Sequence, residues 1–230
     1  MGSEKISRTM LNYFSNAPLA GAIRLSYNGT LKIIEKYSEM IDRFICESDT
    51  GIYPAMNKGV VNANGKFILF INGDDELIPD GIINVLTSLA ACQEEIVCAT
   101  TLVIGNTTMP SFSYLPIPKR LVYGDSIPHP SSFVRRELLS QFPFREDLKI
   151  ASDYDFLRVF LSRASFKIVP HQSAVHYLGG ISSNNKKRRY EIDLVLRSHL
   201  GWWHNYYYKV ANGFIWSVSK ITSRFGNNNH

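Results

Sequence analysis

The residues best suited to chemistry in this chain form an acidic turn directly after an apolar run. Residues 67–71 are all apolar, and the turn sequence NGDD follows them at residues 72–75. Two adjacent carboxylates repel each other unless a cation or a hydrogen-bond donor offsets their charge. Asp74 and Asp75 therefore predict a site for a divalent ion such as Mg²⁺ or Mn²⁺ that shares the phosphates of a substrate. The alternative is a solvated turn in which Asp75 caps the next helix, because turns favour Asp.

A second acidic pair and two histidines extend the set of candidate residues. Asp153 and Asp155 open a predicted helix, where a carboxylate serves either as a general base or as a helix cap. His129 lies in a loop stiffened by two prolines, and His176 lies where a strand leads into a glycine pair. Each histidine either contacts a ligand or a metal, or completes a local hydrogen-bond network.

Strands and helices alternate along the chain, and this alternation predicts the scaffold. The patterns predict helices over residues 30–41, 52–63 and 153–163 and from residue 79, and strands over residues 43–47, 67–71, 95–103, 132–135, 166–169 and 174–177. The apolar run at 67–71 is typical of a strand buried on both faces of a parallel sheet. We therefore expect an α/β domain with a mostly parallel sheet flanked by helices. Ligands of such sheets bind outside the carboxyl ends of the strands, which is where Asp74 and Asp75 follow.

Composition excludes several classes of protein. A chain of 230 residues with 45% hydrophobic and 20% charged residues suits a domain with a buried core, and not a disordered or fibrous chain. No apolar run is long enough to span a bilayer, and the polar N-terminus is unlike a secretory signal. Cys46, Cys92 and Cys98 form no metal-binding or disulfide pattern, which predicts buried, reduced thiols in a cytoplasmic protein.

Basic charge is concentrated at the C-terminal end. Residues 186–230 contain eight Lys and Arg against two acidic residues, so they carry +6 and the first 185 residues carry −1. All three Trp residues lie in the same stretch, and apolar residues from Leu196 to Ile221 recur at helical spacing. The stretch is either a helical tail that packs on the domain or on a second copy in a homodimer, or a peripheral anchor on an anionic membrane surface. No nucleic-acid-binding motif accompanies the charge, so nucleic acid is not an expected partner.

Five motifs give the chain a resemblance to a known family. They are GIYPAMNKG at 51–59, NGDDELIP at 72–79, HPSSFVRR at 129–136, ASDYD at 151–155 and GGIS at 179–182. In this order the sequence resembles the family 2 glycosyltransferases with a GT-A-type, Rossmann-like fold, and in particular the bacterial members that build surface polysaccharides. The resemblance covers residues 30–183. We therefore divide the chain into a GT-A-like domain over residues 1–185 and a basic aromatic tail over residues 186–230.

The resemblance implies a reaction and a role for each matching residue. An inverting, metal-dependent enzyme of this type moves a sugar from a nucleoside-diphosphate donor to a glycan or a lipid-linked acceptor. Asp153 matches the catalytic base, while Asp74, Asp75 and His176 match the positions that hold Mn²⁺ or Mg²⁺. The resemblance also assigns substrate-binding roles, which fall on Asn57, Lys58, Asn72, Asp74, His129 and Asp155.

The N-terminal part departs from the family pattern. Relatives begin with a strand and loop that hold the nucleotide base, followed by an acidic stretch at a second strand end. Here only the sequence SYNGT at residues 26–30 resembles the end of that stretch, and Ile23 stands where an Asp contacts the nucleotide. The nucleotide-binding part is therefore expected to be incomplete or divergent. A catalytically inactive relative that binds a partner or a membrane remains the alternative, whereas a nucleotidyltransferase would need a basic, glycine-rich triphosphate loop that this sequence lacks.

Overall fold

A computed structural model describes residues 20–24, 30–73, 75–105, 110–178 and 186–199. The strands are β1 (Ala20–Arg24), β2 (Arg43–Glu47), β3 (Phe67–Leu69), β4 (Glu76–Leu77), β5 (Ile96–Ile104), β6 (Phe112–Tyr114), β7 (Ser132–Arg135) and β8 (Phe166–Tyr177). The helices are α1 (Thr30–Lys36), α2 (Ile52–Asn62), α3 (Pro79–Ala90), α4 (Arg136–Gln141), α5 (Ser152–Phe160) and α6 over residues 186–199. Short 3-10 helices span Ser38–Met40, Pro118–Tyr123 and His129–Ser131.

The described strands form two sheets. β1 and β2 pair in parallel, and the other six form a mixed sheet in the order β3-β7-β5-β8-β4, with β6 paired to β5. In this larger sheet, as described, only β5 and β8 run parallel. The predicted α/β class is confirmed, but the expectation of a mostly parallel sheet is wrong. Between β5 and β7 the described chain forms a hairpin strand and 3-10 turns in place of the crossover helix that usually joins parallel neighbours.

The strand that is buried on both faces is β5, and not the apolar run that predicted one. β3 ends at Leu69 and lies at the edge of the larger sheet, paired antiparallel with β7. Along β5, Ile96 and Cys98 pack into one core cluster, and Val97 and Ala99 pack into a second. Successive side chains of a strand point to opposite faces, so these two clusters lie on the two sides of the sheet. An apolar run indicates burial, but it does not give the position of a strand in the sheet.

Helices cover both faces of the larger sheet. The cluster with Val97 includes side chains of α3, and the cluster with Ile96 includes side chains of α2, α4, α5 and α6. α3 lies very close to β8 at Gly81, where an added Cβ would stand 1.6 Å from the carbonyl oxygen of Gln172. The strands predicted over 166–169 and 174–177 form one strand, β8. Its register against β5 shifts between Val169 and Ala174, on either side of Gln172. The close contact at Gly81 therefore fixes α3 on the irregular part of β8.

The first turns of the basic tail pack into the domain as α6. Ile192, Val195 and Leu196 are buried in the cluster that also contains α2 and α5, whereas Lys186 and Lys187 are exposed. The remainder of the predicted helical stripe, from Leu200 to Ile221, lies outside the described residues, as does the GGIS motif. A search of the described helices finds none with the length and apolarity needed to cross a bilayer.

The three cysteines have free thiols in different environments. Cys92 and Cys98 are buried, and Cys46 on β2 is half-buried. Burial raises the pKa of the Cys98 thiol to about 12, and burial next to Glu94 raises that of Cys92. The predicted burial is therefore confirmed for two of the three thiols.

Candidate active site

Asp153 is the centre of the first polar cluster. It is the second residue of α5, and 9% of its surface is exposed. Nε2 of His129 lies 2.7 Å from Oδ2 of Asp153, and the hydroxyl of Tyr53 donates to Oδ1 over 2.7 Å. His129 comes from the 3-10 helix before β7, and Tyr53 comes from α2. Three elements that are distant in sequence therefore converge on one buried carboxylate.

The electrostatics of this cluster keep Asp153 ionised. Burial raises the pKa of Asp153, but the charge of His129 and the hydrogen bonds from His129 and Tyr53 outweigh burial and hold the pKa below its ordinary value. Burial lowers the pKa of His129, but the carboxylates of Asp153 and Asp75 leave it raised. Burial, with the charge of Asp153, raises the pKa of Tyr53, so its hydroxyl stays protonated and donates.

Asp75 is the centre of the second cluster. Its side chain is fully buried. Oδ2 accepts hydrogen bonds from the backbone N of Asn72 at 3.2 Å and from its Nδ2 at 2.8 Å, while Oδ1 lies 2.7 Å from Nδ1 of His176. Because His176 lies near the end of β8, these contacts tie the acidic turn to that strand. Asp74, the neighbouring candidate ligand, lies outside the described residues.

The two clusters are neighbours. The charge of Asp75 contributes to the raised pKa of His129. Phe70, the residue directly after β3, meets the His129 ring edge-on with their centroids 6.2 Å apart. The segment that carries Asn72 and Asp75 therefore also packs on the partner of Asp153. Within the described ranges, no three His, Cys, Asp or Glu side chains converge as a complete metal site.

The candidates on α2 have other partners within the protein. Nδ2 of Asn57 donates to the carbonyl oxygen of Phe144 at 2.9 Å, and its Oδ1 accepts from the backbone N of Phe144 at 2.8 Å. Nζ of Lys58 lies 2.7 Å from Oδ1 of Asp49. These contacts place neither residue in the two polar clusters. Substrate binding by Asn57 and Lys58 stays a prediction.

Asp155 lies two residues beyond Asp153 in α5 and contacts α6. Its Oδ1 is 2.5 Å from Nε2 of His199 on α6, and its Oδ2 is 3.7 Å from a guanidinium nitrogen of Arg145. Arg145 and Asp155 line a groove of about 260 Å³, and four phenylalanines are among its other lining residues. Two of those walls, Phe144 and Phe156, also border the small space next to Asp153. The groove therefore adjoins the first cluster.

The sequence does not predict the polar contacts of two side chains, Tyr53 and Glu191. Glu191 on α6 is 5% exposed and accepts hydrogen bonds from the backbone N–H groups of residues 149–151. This segment leads into α5, whose first turn has no side-chain cap of its own. Glu191 is one of two acidic residues after a basic run, and Tyr53 has the pattern of an ordinary core aromatic. Neither carries a sequence signal beyond the motif that contains Tyr53.

Comparisons with known sequences agree with the geometry. Residues 26–141 match the family profile described as glycosyl transferase family 2. Over 163 residues the chain is 27% identical to the PGL/p-HBAD biosynthesis glycosyltransferases of Mycobacterium tuberculosis and Mycobacterium bovis. That similarity covers 67% of this chain and 62% of the relatives, so the chain spans less than two thirds of their length.

Solved structures share the fold at low sequence identity. The structure of Staphylococcus aureus TarS 1–349 in complex with UDP-GlcNAc has a TM-score of 0.62 at 18% identity, covering 89% of this chain and 66% of TarS. Glucosyl-3-phosphoglycerate synthase from Mycobacterium tuberculosis, in complex with Mn²⁺, UDP and glucosyl-3-phosphoglycerate, has a TM-score of 0.62 at 15% identity, covering 87% and 77%. The resemblance predicted from the five motifs is thus confirmed at the level of family and fold. The chain belongs to glycosyl transferase family 2 and has the α/β fold of its GT-A-type members.

Proposed function

We propose that this chain transfers a sugar from a nucleoside-diphosphate donor to a hydroxyl group of a glycan or lipid-linked acceptor, with inversion at the anomeric carbon. The observation that carries the proposal is the pairing of Asp153 with His129 next to the Asp75 turn. One cluster supplies a base, and its neighbour lies after a strand, where phosphates bind in α/β folds. The related structures with bound UDP-GlcNAc, or with UDP and Mn²⁺, support a nucleotide sugar as the donor.

The Asp153–His129 pair supplies the base function. An acceptor hydroxyl that loses its proton to this pair attacks the anomeric carbon from the face opposite the diphosphate. The bond from the anomeric carbon to the diphosphate oxygen breaks as the bond to the acceptor oxygen forms. The electron pair leaves with the nucleoside diphosphate, and a single displacement of this kind inverts the configuration.

We propose that Asp74 and His176 hold a divalent ion and that Asp75 supports this site. The residues fit such a group, because Asp75 is fully buried with both oxygens in hydrogen bonds, one of them to Nδ1 of His176. Histidine ligands of metals commonly donate their other ring N–H to a carboxylate in this way. A carboxylate and imidazole donor set is compatible with Mn²⁺. When bound, the ion would neutralise charge on the diphosphate leaving group.

The groove beside Asp155 is the proposed entry path of the acceptor. Its volume of about 260 Å³ is close to the lower end of ligand pockets, and its phenylalanine walls continue to Asp153. Exposed Lys186, Lys187 and Arg189 at the start of α6 support an anionic membrane surface as the place where a lipid-linked acceptor is met. Surface polysaccharide assembly, as the resemblance implies, is the process that we propose for such an acceptor.

Turnover of nucleotide sugars tests the proposed function. The full chain with Mn²⁺ is incubated with UDP-glucose, UDP-N-acetylglucosamine and GDP-mannose, and release of the nucleoside diphosphate is measured. We expect turnover of at least one donor and its loss in Asp153→Asn with the fold retained. Asp42→Asn is the control, because Asp42 is exposed and lies before β2, away from the strand's carboxyl end. Binding without turnover would favour the inactive relative, and full activity in Asp153→Asn would remove Asp153 from the site.

A further inference from the structure

Three exposed apolar side chains lie close together at the hairpin strand β6. Phe112 on β6, and Leu115 and Ile117 directly after it, are 38%, 49% and 41% exposed. No other six consecutive residues of the described chain include three exposed large apolar side chains. Single exposed apolar residues are ordinary, but a group of them indicates a contact surface. Residues 112–117, the apolar segment, are therefore a candidate docking surface.

The backbone of the apolar segment is unsuited to strand addition by a protein partner. Among the described strands, β6 has only three residues and pairs only with β5. Pro116 and Pro118 follow it and have no backbone N–H to donate to an added strand. The segment therefore offers its side chains, and not its backbone, to whatever it contacts.

Basic residues follow the apolar segment directly. Lys119 and Arg120 are both exposed. The acid of this region, Asp125, accepts a hydrogen bond from the hydroxyl of Tyr114 at 3.0 Å and lies 3.9 Å from a guanidinium nitrogen of Arg120. Residues 110–126 contain two basic side chains against this one acid. The surface around the segment therefore carries net positive charge.

The first turn of α6 adds positive charge to the same side of the domain. Leu121, in the 3-10 helix that follows the segment, belongs to the same core cluster as Ile192 on α6. Burial, with the charge of Asp125, raises the pKa of Tyr114 on β6, and the charges of Arg120 and Arg188 offset part of that rise. The charge of Arg188 on α6 therefore acts at β6. The other three residues of 186–189 are also basic, and all three are exposed.

We propose that the apolar segment and the first turn of α6 together dock on an anionic lipid bilayer. Phe112, Leu115 and Ile117 enter the interfacial layer, and the lysine and arginine side chains around them face the negative headgroups. This inference rests on the proposed use of a lipid-linked acceptor and names the surface that meets its membrane. A bilayer matches both parts of the surface, whereas the phosphate backbone of a nucleic acid matches only the charge.

The proposed docking surface is joined to the helix of the candidate base. The hydroxyl of Tyr154 on α5 donates to the carbonyl oxygen of Leu121 at 2.6 Å, and both residues are buried. Tyr154 is the residue directly after Asp153. A docked segment would therefore hold the start of α5 near the bilayer surface, where a lipid-linked acceptor presents its hydroxyl group.

Vesicle binding tests the surface. The full chain is sedimented with vesicles of phosphatidylcholine alone, or with about 30% phosphatidylglycerol to supply negative charge. We expect binding to the anionic vesicles only, and weaker binding as salt screens the charge. The double variant Leu115→Ser and Ile117→Ser should bind at least about tenfold more weakly, and Lys119→Gln about fivefold more weakly. Val61→Ser is the matched control, because Val61 on α2 is 82% exposed, and it should bind as the wild type does.

A fluorophore placed on the segment shows whether this surface is the one that binds. An environment-sensitive dye is attached through Leu115→Cys, or through Val61→Cys as the control, in a chain that also carries Cys46→Ser. We expect anionic vesicles to shift the emission to shorter wavelength at residue 115 and not at residue 61.

Three results would overturn the inference. They are absence of binding to anionic vesicles, binding without a shift at residue 115, and a shift at residue 115 with double-stranded DNA but not with vesicles. None of these affects the proposed glycosyl transfer, because release of nucleoside diphosphate is measured without vesicles. Absence of that release with every donor would overturn the proposed function, while a shift at residue 115 would still identify the membrane-binding surface.

Discussion

The side chain of Glu191 on α6 accepts hydrogen bonds from the segment that leads into α5. We predict that this one carboxylate stabilises that segment. Its Oε2 accepts from the backbone N of Lys149 at 3.0 Å, of Ile150 at 2.7 Å and of Ala151 at 3.0 Å. Oε1 accepts a further bond from Lys149 at 3.1 Å. Glu191→Gln keeps the size of the side chain but removes the charge that strengthens these bonds. We expect the variant to fold with reduced stability.

The expected loss follows from the number of bonds. A hydrogen bond to a charged group stabilises by about 1.5–3 kcal/mol, and a neutral one by about 1 kcal/mol. Three bonds to the retained oxygen would each lose roughly 1 kcal/mol, which gives a total near 3 kcal/mol. For a domain of this size that loss lowers Tm by about 6–12 °C. Glu191→Ala should cost more, because it leaves buried N–H groups without an acceptor.

Denaturation and hydrogen exchange measure this effect. Urea unfolding gives the change in free energy, and exchange of the amides of residues 149–151 reports on the segment itself. Glu137→Gln is the matched control, because the Glu137 side chain is 56% exposed and its contact with Arg136 is long, at 3.8 Å. The control should change stability by less than about 0.5 kcal/mol. Equal stability of both variants, with unchanged exchange at residues 149–151, would refute the reasoning.

Two further predictions concern the packing of α3 and the proposed metal site. Gly81→Ala should destabilise by about 3 kcal/mol or more in urea unfolding, because its Cβ would overlap the backbone of Gln172, whereas Gly73→Ala meets nothing within 4 Å. Similar midpoints for these two variants would contradict the close approach of α3 and β8. Asp75→Asn should weaken Mn²⁺ binding about 10–100-fold in a calorimetric titration with UDP, because it loosens the orientation of His176. Exposed Asp80→Asn should bind as the wild type does, and an unchanged affinity in Asp75→Asn would remove its supporting role.

Local patterns predict the elements of this protein better than their arrangement. The strand at Arg43–Glu47 and the start of α3 at Pro79 follow from apolar spacing and turn residues, and both are confirmed. The order and direction of the strands depend on how connections cross the sheet. No local pattern in the sequence indicates the antiparallel return from β5 to β7, so strand and helix alternation alone predicts a mostly parallel sheet.

The candidate site shows the same division between local and long-range information. Asp153 and His129 were each identifiable from residue type and motif, but the contact between them depends on packing between α5 and the segment before β7. Taken alone, an Asp in a first helical turn favours capping over catalysis, and the converging partners of Asp153 are what support the proposed catalytic role. The division of the chain at residue 185 stays a prediction, although the burial of Ile192 and the bonds of Glu191 favour including α6 in the domain.

The unequal burial of the three thiols offers a practical probe. Cys92 and Cys98 are sequestered in the core, and Cys46 lies on β2, in the small sheet that it forms with β1. A maleimide fluorophore should therefore attach selectively at Cys46, without any engineered substitution. Its emission would report on the N-terminal part of the fold while nucleotide sugars are added, and would show whether β1 and β2 take part in recognising the donor.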